Sequence, residues 1–167
     1  MSGWRTGALT AVVVDFDTLF EEYLRNILRL ERQRLGYDFS VLDGNREGKK
    51  SLFDGKPQPK AQPDVVIVTP SGDASLVVEV KYKSAPDRSD YNQAITYAAA
   101  YRLNTVVIAH QSMQALDNGL LEIGRVGAIR LLRYGVALDS DDLRHQERSF
   151  AEAMFRLAGN IEALKAA

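Results

Sequence analysis

Apolar and polar positions along this chain recur in two rhythms, one helical and one alternating. From Asp17 to about Arg34, Phe20, Tyr23, Leu24, Ile27 and Leu28 return at helical spacing and predict one buried stripe. Asp17 or Thr18 is the expected N-cap and Gly36 the expected stop. Tyr37 to Leu42 alternates as a strand does. Two β-branched runs, 64–69 and 75–82, flank the turn residues Pro70, Ser71, Gly72 and Asp73 and read as a hairpin. A helix is expected from Ser89 or Asp90 to Arg102, then a strand at 105–110, far enough on for a crossover connection. Residues 119–137 predict one or two more strands. Asp139 or Ser140 should cap a last, amphipathic helix with Phe150, Met154, Leu157, Ile161 and Leu164 on one face. The apolar run at 10–15 reads as a strand or an extended lead-in. This order predicts an α/β sandwich around a mixed sheet flanked by helices.

Residues 44–62 interrupt the pattern with three glycines and two prolines, and read as one long loop. Arg46, Lys49, Lys50, Lys56 and Lys60 outweigh Glu47 and Asp54 there, for a local charge of +3. That matters because the whole chain carries a net charge of −1, so affinity for a polyanion must be local. The 167 residues fit a single domain, 1–167. No cysteine is present, which excludes disulfides, cysteine-ligated zinc, iron–sulfur clusters and thiol catalysis. The first residues lack a signal-peptide pattern, and no run of apolar residues is long enough to cross a membrane, so the chain reads as cytoplasmic.

The chemistry sits in the hairpin. Glu79 and Lys81 share one face of their strand, while Val78, Val80 and Tyr82 form the opposite, core-directed face. A two-residue turn at Ser71-Gly72 would set the register so that Asp64 lies directly across from Glu79, their β-carbons roughly 5 Å apart. Carboxylates that close repel unless a cation lies between them, and oxygen-only ligation suits Mg²⁺ or Mn²⁺. Lys81 would then orient a water or stabilise charge developing on phosphorus. On the following helix, Gln93, Tyr97 and Tyr101 are spaced to share a face and would supply an amide and two phenols near the metal.

Pro63-Asp64 followed by Glu79-Val80-Lys81 resembles the PD-(D/E)xK nuclease signature, and Gln93-Ala94-Ile95-Thr96-Tyr97 resembles the QhxxY motif of its RecB-like and McrC-like branches. Asp15-Phe16-Asp17-Thr18-Leu19-Phe20-Glu21 is similar to the opening of the McrC nuclease domain, and Glu79-Val80-Lys81-Tyr82-Lys83 to its D-x-K-Y-K strand, with Glu in place of the commoner Asp. The resemblance spans roughly residues 15–110. It implies a restriction-endonuclease-like αβββαβ core and a Mg²⁺- or Mn²⁺-dependent DNA endonuclease of restriction or defence type. It further implies an AAA+ GTPase or ATPase partner, normally engaged through an additional N-terminal domain. By motif position Asp64, Glu79 and Lys81 form the catalytic core. Glu21 completes or tunes the metal site, its neighbour Glu22 being the competing choice, and Gln93 and Tyr97 are the accessory pair.

Each of these residues also has a plainer reading. The Glu79–Lys81 pair can be solvated charge on an exposed hairpin, Glu21 can pair with Arg25 at i, i+4, and Gln93 and Tyr97 can simply pack on the sheet. Lys49, Lys50, Lys56 and Lys83 are the candidate DNA contacts, against the alternative of a solvated loop. His110 and His145 have no ligand-like spacing and are expected at a strand end and on a helix surface. The last helix is expected to be core or a contact in a homodimer. Two other functions compete with the restriction nuclease: a repair or recombination nuclease of the same fold, and a catalytically silent module that binds DNA or a partner.

Overall fold

The computed structural model describes residues 14–113 and 118–165. Residues 10–13 of the apolar run at 10–15 therefore lie outside the described residues.

Helix α1 spans Phe16–Leu35. Its N-cap is Asp15, ahead of the expected Asp17 or Thr18, because the Asp15 carboxylate accepts from the backbone N–H groups of both. Gly36 ends it at φ 72°, a conformation that glycine adopts without steric cost. Strands β1 (Ser40–Asp43), β4 (Val65–Val68), β5 (Ala74–Lys81), β6 (Thr105–Ser112), β7 (Gly119–Val126) and β8 (Ile129–Ala137) form one six-stranded sheet in the order β1-β4-β5-β6-β8-β7. The pairs β1/β4, β4/β5 and β7/β8 are antiparallel; β5/β6 and β6/β8 are parallel. Helix α2 (Arg88–Ala100) makes the crossover between β5 and β6, and α3 (Leu143–Lys165) closes the fold. Asp87 caps α2 in a reciprocal capping box with Asp90, and the Asp142 carboxylate accepts from the His145 N–H at the start of α3.

Both faces of the sheet are covered. On one, Phe20, Leu24 and Leu28 of α1 and Phe150, Met154 and Phe155 of α3 pack over Val65, Ile67, Val78 and Val80. On the other, Ala94 and Ala98 of α2 pack over Val66, Val77, Val106 and Ile108. Small residues at 94 and 98 bring the α2 backbone close to the sheet, which sets the distance from Gln93 and Tyr97 to the strand ends.

The segment expected as one irregular loop is partly ordered by pairing. Strands β2 (Lys50–Ser51) and β3 (Lys60–Ala61) form a short antiparallel ladder, and Ala61 is buried against the α2 face. The β4–β5 turn also differs from expectation. Thr69 N–H bonds to the Asp73 carbonyl across a three-residue turn, Pro70-Ser71-Gly72, with Gly72 at φ 94°. One extra residue in β5 then corrects the register: Val68 pairs with Ala74, Ile67 with Leu76, and Ser75 is bulged out. The buried Ser75 hydroxyl donates to the Ala158 carbonyl of α3, which anchors the bulge. Beyond it, Val65 pairs with Val78, so the next step along brings Asp64 beside Glu79.

Candidate metal and catalytic centre

Antiparallel pairing ends at Val65, and the Asp64 side chain turns to accept the Val80 N–H at 2.7 Å. Glu79 projects from the middle of the sheet end and is only 1% exposed; Asp64 is 6% exposed. Glu79 Oε1 accepts from Lys81 Nζ at 2.8 Å, whereas Glu79 Oε2 is buried with no hydrogen-bond partner. A buried carboxylate oxygen left in that state is costly unless something occupies the position.

Lys81 carries the network onto the next element. Its ammonium donates to Gln93 Oε1 at 3.0 Å, and Gln93 Nε2 donates to the Tyr97 hydroxyl at 3.1 Å. The four side chains thus form one hydrogen-bonded run from β5 to α2. Burial opposes the Lys81 charge, but Glu79, Asp64 and Asp90 together outweigh it and raise its pKa. The lysine is held as a cation.

The acids are pushed the other way. Burial raises the Glu79 pKa, with the Asp64 charge adding to it; burial also raises that of Asp64, against the Val80 N–H and the Lys81 charge. Glu21, half-buried on α1, rises to about 7, mainly through burial and then through Asp64. Three carboxyls therefore sense one another across α1, β4 and β5. They do not make a three-ligand cluster: among the described residues no group of three His, Cys, Asp or Glu side chains stands where it could hold a metal ion. Glu21 brings its charge to the Asp64–Glu79 pair from α1.

The remaining pair suits Mg²⁺ or Mn²⁺. Such ions are commonly held by one or two carboxylates and complete their shell with water and substrate phosphate. Asp64 and the unpartnered Oε2 of Glu79 are an oxygen-only donor set of that size.

Other expected residues are placed differently. Tyr101 caps the end of α2 and gives its hydroxyl to the Gly48 carbonyl, so it braces the 44–62 segment and leaves the metal side to Gln93 and Tyr97. Arg25 does not pair with Glu21. It is buried, 3.2 Å from Asp43, and donates to the Asp64 carbonyl at 3.1 Å. Glu22 is exposed, whereas Glu21 is half-buried. Lys83, a candidate DNA contact, is paired with Asp87 and Asp90 at 2.8 and 2.6 Å, across the mouth of the β5–α2 connection. Lys49, Lys50 and Lys56 are exposed, with Lys50 lying over the Tyr101 ring. His110 is fully buried within β6, where it pairs in register with Lys81, and is not the strand-end residue expected; His145 is exposed on α3 as expected.

Sequence reasoning missed Arg25, Asp43, Asn45 and Asp90 as neighbours of the site. Asp90 was legible as a helix-start acid. The others needed the pairing of β1 with β4, which no local pattern encodes.

A two-sided α/β domain with a buried carboxylate pair and a cationic lysine at one sheet end defines the class. A family model described as McrBC 5-methylcytosine restriction system component matches residues 5–108. The chain belongs to that family. No curated protein sequence matches it. Among solved structures, the fold is similar to a chain of the refined half-complex from a tetradecameric assembly of Thermococcus gammatolerans McrB AAA+ hexamers with bound McrC. The TM-score is 0.65 at 18% identity, covering 86% of this chain and 34% of that chain. This chain thus spans about a third of the length of its structural relative. Among the described residues, no helix is long and apolar enough to cross a membrane.

Proposed function

We propose that this domain is a divalent-metal-dependent DNA endonuclease of the PD-(D/E)xK type, its QhxxY branch included, acting in a restriction system beside an AAA+ partner in the cytoplasm. The observation that supports the reading best is the hydrogen-bonded run Glu79–Lys81–Gln93–Tyr97 next to the buried Asp64–Glu79 pair. A solvated charge pair on a hairpin needs neither the burial nor the amide relay. The family match and the McrB–McrC assembly support the restriction setting and the partner.

In this reading Asp64 and Glu79 hold Mg²⁺ or Mn²⁺, which when bound supplies polarisation of the scissile phosphate and a water of lowered pKa. Lys81, fixed between Glu79 and Gln93, orients that water or neutralises charge gained by the phosphate. Gln93 stops the lysine from collapsing wholly onto Glu79, and Tyr97 fixes which end of the Gln93 amide faces it. Glu21 completes or tunes the metal site from α1. Lys49, Lys50 and Lys56 are the candidate contacts to the DNA backbone.

Plasmid cleavage with Mg²⁺ or Mn²⁺, run with and without an AAA+ GTPase partner, tests the proposal on wild type, Asp64→Ala and Lys81→Ala. Loss of cutting in both variants is expected. Cutting that survives both substitutions would sink the assignment.

A further inference from the structure

The hairpin of β2 and β3 is short but firmly tied down. Its ladder, Lys50 with Ala61 and Ser51 with Lys60, is extended by the Leu52 N–H donating to the Pro59 carbonyl at 2.9 Å. Ala61 is fully buried, Leu52 packs on the α2 side of the core, and the Tyr101 hydroxyl donates to the Gly48 carbonyl at the hairpin's root. At the tip, Gly55 takes φ 73°. Arg102, just past α2, reaches that tip and donates to Asp54 at 3.0 Å. Among the described residues it is the one non-glycine with positive φ, at 57°, a conformation that L side chains adopt at a steric cost. Yet this anchored tip presents Phe53 to solvent, 54% exposed. The ring forms one wall of a groove of about 600 Å³, with Leu52 beside it and Ile95, Thr96 and Ala99 of α2 opposite. Ile95 and Ala99 stand two positions on from Gln93 and Tyr97, so the groove lies on another side of α2 from the metal centre.

The charges around the groove say what fits it. The two acids of the 44–62 segment are each taken by an arginine from outside it, Glu47 by Arg29 at 3.6 Å and Asp54 by Arg102 at 3.0 Å. Lys49, Lys50 and Lys56 are exposed on the same segment and leave it positive. A polyanion answers that charge, and an aromatic face among lysines is how a nucleic-acid strand is held through both its phosphates and its bases. Bases inside a duplex have both faces covered by their neighbours, and a ring set in a concave wall is out of their reach. We propose that the groove between the β2–β3 tip and α2 is a binding site for an unpaired DNA nucleotide, its base stacked on Phe53 and the flanking phosphates met by Lys49, Lys50 and Lys56. The Arg102–Asp54 bond holds the tip at a fixed spacing from α2 and keeps the groove open to a planar ligand. The inference rests on the DNA part of the proposed function and is independent of the metal.

Binding of a labelled single-stranded oligonucleotide and of the matching duplex to the full chain is measured by fluorescence anisotropy in EDTA. The proteins are wild type, Phe53→Ala, Phe53→Leu and Phe53→Trp, with thermal melting of each. Phe53→Ala should weaken single-strand binding about ten-fold and duplex binding by less than about two-fold, with Tm unchanged. Phe53→Leu, which keeps an apolar side chain without a ring, should lose as much, whereas Phe53→Trp should retain the affinity and show quenching of the added indole on binding. If Phe53→Leu binds single strands as wild type does, the ring only fills space and the stacking site falls. Equal losses for both DNA forms, or no loss for either, would likewise overturn it while leaving the DNA reading in place. Failure of the wild type to bind either form would remove the DNA reading as well.

Discussion

The Lys81 ammonium lies 3.0 Å from the Gln93 carboxamide oxygen, a contact between β5 and α2 that no strand register could supply. It divides one lysine between an acid and a neutral acceptor. Lys81→Ala should abolish cleavage, and Lys81→Arg should not restore it, because a planar fork cannot take the place of a compact ammonium between Glu79 and Gln93. Gln93→Ala should lower kcat by about ten- to a hundred-fold with little change in DNA affinity, and Tyr97→Phe by less. Single-turnover cleavage and fluorescence anisotropy measure the two effects separately.

The raised carboxyl pKa values have a signed consequence. A carboxyl whose folded pKa lies above its unfolded value binds its proton more tightly when folded. Its ionisation therefore costs stability as pH rises from the unfolded value to the folded one. For Glu21 that window runs from 4.5 to about 7, and Glu79 and Asp64 shift in the same direction. Without metal, Tm should fall from about pH 5 to about pH 8, and Mg²⁺ should raise Tm by more at the upper end. Glu79→Gln should flatten both trends. Differential scanning fluorimetry across that range checks the sign.

Gly44 is a steric requirement, not a flexible joint. Its missing β-carbon is what lets the turn after β1 rest on the Pro63 carbonyl. Gly44→Ala should cost about 1–3 kcal/mol, from the backbone displacement that overpacking forces. It should also weaken Mn²⁺ binding, since the displaced Pro63 carbonyl leads directly into Asp64. Urea unfolding with unchanged m-value gives the first quantity, and metal titration the second.

The lysines divide into two groups. Lys49, Lys50 and Lys56 are exposed, whereas Lys83 is held by Asp87 and Asp90. Neutralising the first three together should reduce the slope of log affinity against log salt by about 2–3, at roughly 0.9 per duplex phosphate contact. Lys83→Ala should leave that slope unchanged and loosen the start of α2. DNA-binding isotherms at several salt concentrations distinguish them.

What the sequence determined by itself was the alphabet of the fold and the face each residue takes. Alternation in 75–82 puts Glu79 and Lys81 together and Val78 and Val80 in the core, because strand geometry leaves no other choice. Helical spacing likewise puts Gln93 and Tyr97 on one side of α2, and their bond is observed. Long-range pairing was beyond reach. The expected two-residue turn and the observed three-residue turn differ, yet both bring Asp64 beside Glu79, because the bulge at Ser75 restores the alternation that buries both valine faces. That bulge is anchored by the Ala158 carbonyl, 83 residues away. Distance in sequence likewise hid Arg25 and Asp43: their meeting beside Asp64 depends on β1 lying beside β4, and only the packed sheet decides that.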